Sequence, residues 1–157
     1  MNINGVYNKV ISYINTIKDD NKKDKNYIGN IYTGIKWQCI EFIRRYFIIN
    51  YRLTFQSVKN VYDMIENINI FYPICNCNKI RKLYFIKNLK YPSKDDIVYM
   101  IHNDTGHVGI VIKYDSYKNL VYIIDQNKEY GSYWKHKNYA YTIDKNDSSI
   151  LGWGRII

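Results

Sequence analysis

The sequence predicts an α+β fold, with helices in its first half and an antiparallel sheet in its second. Apolar residues near the N-terminus and again over residues 38–50 recur as helices require. After Tyr91-Pro92 the style changes to runs rich in β-branched residues and tyrosine, broken by turn chemistry. Helices followed by strands, rather than strict alternation, is the α+β pattern. No internal repeat or flexible linker divides the chain, so residues 1–157 read as a single domain.

Taken in order, residues 3–18 place Val6, Val10, Ile14 and Ile17 at helical spacing and predict an amphipathic helix. Residues 19–30 are polar and charged, and read as a loop. Tyr32-Thr33-Gly34-Ile35-Lys36-Trp37 reads as a turn feeding a second helix, Gln38 to Asn50, which is apolar on most sides. Glu41 and Arg45, four residues apart, are expected to pair on its surface. A third helix is expected over Ser57 to Ile65, capped by Ser57. Strands are expected over Asp96 to His102, His107 to Tyr114, Leu120 to Gln126, Tyr139 to Ile143 and Ile150 to Ile157.

Composition narrows the function classes. Apolar residues make up 46% of the chain, and 18 tyrosines supply bulky core material, so a globular fold is expected rather than disorder. Lys and Arg number 23 against 14 Asp and Glu, a formal charge of +9. The lysines are scattered, with only Lys22, Lys23 and Lys25 close together and Asp24 among them, so a solvated surface is expected rather than a nucleic-acid footprint. No run of about 18 apolar residues is present. Residues 1–17 lack the charged start and unbroken apolar stretch of a secretory signal, so a cytoplasmic protein is expected. Without such a signal a disulfide framework is not expected, and Cys75 and Cys77 read as free thiols. Their lone C-x-C lacks the second ligand pair of a zinc site.

Cys39 differs in position. It stands at the start of a predicted helix, directly after a glycine-containing turn. Unpaired backbone N–H groups and the positive helix end favour the thiolate, the nucleophilic form, and can also hold an oxyanion. A small buried apolar role for Cys39 is the plain alternative. A thiolate needs a base, and His107, opening a strand after Thr105-Gly106, is the candidate ahead of His102 and His136. If Tyr114 pairs with Leu120 across the five-residue turn Asp115–Asn119, His107 stands opposite Asn127 with Asp125 diagonally beside it. Those three then share a face, and two polar groups can orient the imidazole. A turn of even length puts them on opposite faces.

Tyr32 to Arg45, with Trp37-Gln38-Cys39 at its centre, resembles the nucleophile segment of the amidase domain of glutathionylspermidine synthetase/amidases. Asp104-Thr105-Gly106-His107-Val108-Gly109 resembles that family's histidine strand, Asp125-Gln126-Asn127 its Glu-Gln-Asn segment, and Ile150-Leu151-Gly152-Trp153 its closing strand. The parent group is the CHAP superfamily, and the resemblance covers residues 27–157. It implies a papain-like domain that hydrolyses an amide through an acyl-enzyme, with Cys39 as nucleophile, His107 as base and then acid, Asp125 as orienting carboxylate and Asn127 as support. Arg44 and Gln38 are implied as substrate contacts. The implied substrate is glutathionylspermidine, cleaved to glutathione and spermidine without metal or cofactor. A peptidoglycan amidase or endopeptidase, and an inactive CHAP-like binding protein, are the alternatives. Two departures from the family stand out: Asp125 stands where it has glutamate, and a stand-alone amidase without a synthetase domain is expected.

Overall fold

The computed structural model describes residues 2–16, 24–76, 79–87, 90–128 and 133–157. The N-terminal segment is not a helix. β1 (Ile3–Tyr7) and β2 (Val10–Tyr13) form an antiparallel hairpin, closed between Tyr7 and Val10. Its two turn residues, Asn8 and Lys9, both have positive φ (45° and 67°), as two-residue hairpin turns of the primed type require. A spacing of four satisfies both a helical period and an alternating one. The alternating one wins here: Val10, Ser12 and Ile14 are buried while Val6 is 47% exposed. Ile17, Lys18, Lys22 and Lys23 lie outside the described residues.

The expected loop over 19–30 is in part a strand. β3 (Lys25–Ile28) pairs antiparallel with β4 (Ile31–Ile35) across Gly29-Asn30. β3 is polar because no residue of it is fully buried, which hid it from a hydrophobicity pattern. The central helix is as expected: α1 runs Cys39–Tyr51, with Gln38 as N-cap and Arg52 in the left-handed region at its end. Gly34 permits its close approach, since a Cβ there would stand 2.8 Å from that of Glu41.

The next helix begins later than expected. β5 (Leu53–Thr54) follows α1, and α2 (Val61–Asn67) is capped by Asn60, whose side chain accepts from the Asp63 N–H at 2.9 Å. Asp63 reaches back to the N–H of Lys59 at 2.7 Å. This reciprocal capping outcompetes Ser57, which is exposed. β6 (Ile70–Pro73) and β7 (Arg81–Lys87) were not foreseen, because β7 buries only Leu83 and reads as a polar run. β8 (Ile97–Met100), β9 (His107–Asp115), β10 (Leu120–Asp125), β11 (Tyr141–Asp144) and β12 (Ile150–Ile156) match the expected strands within a few residues. Cys75 is disulfide-bonded, which corrects its reading as a free thiol; Cys77 lies outside the described residues.

An eight-stranded antiparallel sheet, in the order β11-β10-β9-β8-β12-β7-β6-β5, is the main layer. With two helices beside it, the fold is α+β. Alternation along the strands feeds two apolar clusters. Ile97, Tyr99, Val108, Ile110 and Ile124 join the cluster built on Phe42, Ile43, Tyr46 and Phe47 of α1. Val98, Met100, Val111, Val121, Ile123 and Trp153 form the other.

The β9–β10 hairpin has an even-length turn: Asp115 pairs with Leu120, leaving Ser116–Asn119 between them. Alone, that register would separate His107 from Asp125. A bulge at Ile112 intervenes, since Lys113 opposes Tyr122 while Val111 opposes Ile123. The extra residue exchanges the faces, and from there Asp125 stands opposite Gly109, two residues from His107.

Candidate active site

Cys39 is the first residue of α1, half-buried and unbonded to any other sulfur. Its thiol is near enough to the His107 side chain to help raise the pKa of that ring. His107 is the first residue of β9 and is 1% exposed. Its Nε2 lies 2.7 Å from Oδ2 of Asp125, the last residue of β10. Burial disfavours charge on this ring, but hydrogen bonds with Asp125 and Cys39, and their charge, outweigh it and raise its pKa to about 9. The ring therefore holds its second proton at neutral pH.

The shorter acid reaches the imidazole because nothing stands in its way. A Cβ on Gly109, directly across the ladder, would lie 3.3 Å from that of Asp125 and 2.7 Å from Ile123 Cγ2. The backbone of Asp125 is held too: its carbonyl accepts from Ser12 Oγ at 2.7 Å and from Trp134 Nε1 at 3.0 Å. The N-terminal hairpin thus serves the site through Ser12.

Asn127 was expected beside the imidazole. Instead, at φ 62°, it donates through Nδ2 to Gln38 Oε1 at 2.9 Å. Gln38 immediately precedes Cys39, so this bond fixes the side chain nearest the thiol in sequence. Arg44 is buried, with Nη1 donating to the Thr33 carbonyl at 2.7 Å and Nη2 to that of Gln56 at 3.0 Å. Its guanidinium carbon lies 4.5 Å from the Phe55 ring centroid. Burial lowers its pKa, partly opposed by Tyr32 and Glu41. These contacts commit much of Arg44 to the fold.

Two sets of residues escaped sequence reasoning. The Glu41–Arg45 pair forms, with Arg45 Nε 2.8 Å from Glu41 Oε1, but it is buried rather than on the surface. Gln126, fully buried, completes the network. Its Nε2 donates to Glu41 Oε2 at 2.9 Å and to the Gln38 carbonyl at 3.1 Å, and its Oε1 accepts from Arg45 Nη2 at 3.1 Å and from the Tyr13 N–H at 2.8 Å. Asn26 Nδ2 adds a bond to Glu41 Oε1 at 3.0 Å. The network joins the start of α1 to the end of β10, the two places that carry Cys39 and Asp125. The position of Gln126 between two candidate polar residues was its only signal. The second is Tyr141 of β11, whose phenol donates to Met100 Sδ at 3.7 Å; burial, then Asp125, then Cys39 hold its pKa well above the ordinary value.

No family model matches the chain. The bifunctional glutathionylspermidine synthetase/amidase of Escherichia coli strain K12 is 29% identical over 154 aligned positions, covering 86% of this chain and 24% of the relative. The protein of that name from Shigella flexneri gives the same figures. This chain is similar to part of that bifunctional protein. It spans about a quarter of the length of these relatives. No helix among the described residues is long and apolar enough to cross a membrane.

Proposed function

We propose that this chain is a cysteine-dependent amidohydrolase, a CHAP domain of papain-like arrangement, acting on a glutathione–polyamine amide such as glutathionylspermidine. One observation carries the reading: a thiol at a helix N-terminus lies in reach of a buried imidazole whose Nε2 is 2.7 Å from a buried carboxylate. That is the nucleophile, base and orienting acid of a triad. With Nε2 engaged by Asp125, Nδ1 is left for the sulfur.

Cys39 Sγ attacks the amide carbonyl carbon, and the carbonyl π electrons move onto oxygen. Backbone N–H groups at the start of α1 receive that oxyanion. The side-chain amide of Gln38, held through Oε1 by Asn127, can add a donor from Nε2. The C–N bond then breaks, and His107 protonates the departing amine. Water attacks the resulting thioester, His107 takes its proton, and the carboxylic acid and Cys39 are released. Asp125 keeps the ring in one orientation and tautomer throughout.

The relationship to the synthetase/amidases supports the glutathione–polyamine substrate. The test is hydrolysis by the purified chain of glutathionylspermidine and, separately, of peptidoglycan, with Cys39→Ala as control. Release of spermidine that Cys39→Ala abolishes is expected. Hydrolysis of peptidoglycan alone would replace the substrate, and full activity in Cys39→Ala would remove the mechanism.

A further inference from the structure

The two ends of α1 differ in what surrounds them. Its 13 residues rise about 20 Å, and a cavity of about 920 Å³ opens at the end away from Cys39, beside Tyr51 and Arg52. None of Cys39, His107 and Asp125 lines it. The volume falls within the range of sites that enclose small molecules, roughly 300–1,000 Å³.

Its lining is cationic. Arg52, Lys79, Arg81, Lys94 and Arg155 contribute five positive side chains, against two carboxylates, Asp95 and Asp96. Both carboxylates are already engaged. Asp96 is held by Arg155 in a two-point contact at 3.0 and 2.7 Å, and also accepts from the Ser93 N–H at 2.7 Å. Asp95 accepts from Tyr46 Oη at 2.7 Å and from Tyr51 Oη. Among the described residues, Arg52, Lys79, Arg81 and Lys94 have no side-chain hydrogen bond or ion pair. Converging, unneutralised cations over a floor that includes Phe47 and Leu53 raise the local concentration of anions. Arginine forks match phosphate and carboxylate oxygens in pairs.

We propose that this cavity binds a small anion bearing two or more acidic groups, a phosphorylated or polycarboxylic metabolite, at a site separate from the hydrolytic centre. The proposal does not depend on the hydrolase reading. Titration calorimetry of the purified chain at fixed ionic strength, with tripolyphosphate, ADP and citrate as probes, tests it. Saturable one-to-one binding of at least one probe is expected, and the probe that binds separates phosphate from carboxylate chemistry. Arg81→Glu/Lys94→Glu is expected to weaken binding about tenfold or more, whereas Lys118→Glu/Lys137→Glu, with the same change in net charge, leaves it within about twofold. All four side chains are exposed, so a thermal melt is expected to report intact folds. No saturable binding of any probe, equal weakening in both variants, or binding that Arg81→Glu/Lys94→Glu leaves intact would overturn the proposal.

Discussion

The two ends of α1 show what a site costs a fold. At the N-terminal end, Glu41, Arg45, Gln126, His107 and Asp125 are all buried and joined by short hydrogen bonds. At the C-terminal end, most of the cations stand in solvent. Buried charge has to be paired to be tolerated, so the first end is fixed and the second is free to vary. The contrast implies that substitutions in the buried Glu41–Arg45–Gln126 network cost stability, whereas those of the solvent-exposed cations at the other end do not.

The largest effect is expected from Cys39→Ala, which should lower hydrolysis by about 10⁴-fold or more while the thermal unfolding midpoint stays close to that of the parent. Next comes Glu41→Ala, which strands the Arg45 guanidinium beside Gln126. A loss of about 3–5 kcal/mol in urea denaturation is expected; a loss below about 1 kcal/mol would erase the contrast between the two ends. Asp125→Asn should reduce kcat/KM by roughly 10²-fold or more and change its pH profile. The raised pKa of His107 means the protonated ring is kept up to about pH 9 and lost above it, so activity that needs this acid falls as pH rises through about 9. Removing the carboxylate lowers that pKa and moves the alkaline limb to lower pH. Tyr141→Phe should cost less than about tenfold in rate, since it removes a weak bond to Met100 Sδ and leaves the His107–Asp125 bond in place. The smallest effect is Lys94→Glu, within about 0.5 kcal/mol of the parent in unfolding.

What the sequence made legible follows the same division. α1 and the strands β8, β9, β10 and β12 could be read because many of their residues are buried, and burial imposes an apolar pattern. β1, β3 and β7 could not, because they bury few residues and so carry little apolar pattern. Within the candidate site, Cys39, His107 and Asp125 were readable from a helix start and the end of a hairpin. The Gln126 network and Tyr141 were not, because their partners come from elements whose placement only tertiary packing decides. The Glu41–Arg45 spacing predicted the pair but not its burial, which depends on Gly34 and the N-terminal hairpin closing over it.

Ile112 carries a consequence for how this hairpin can change over time. Because the surplus residue in mid-strand inverts the phase of β9 relative to β10, the tip over Ser116–Asn119 and the end that carries His107 and Asp125 are decoupled in sequence but locked in parity. Two residues added or removed at the tip would preserve the pairing of acid and base, whereas one would rotate the carboxylate away from the ring. Loss of Ile112 itself would do the same from within the strand, turning Asp125 away from His107 with every side chain of the candidate site still encoded.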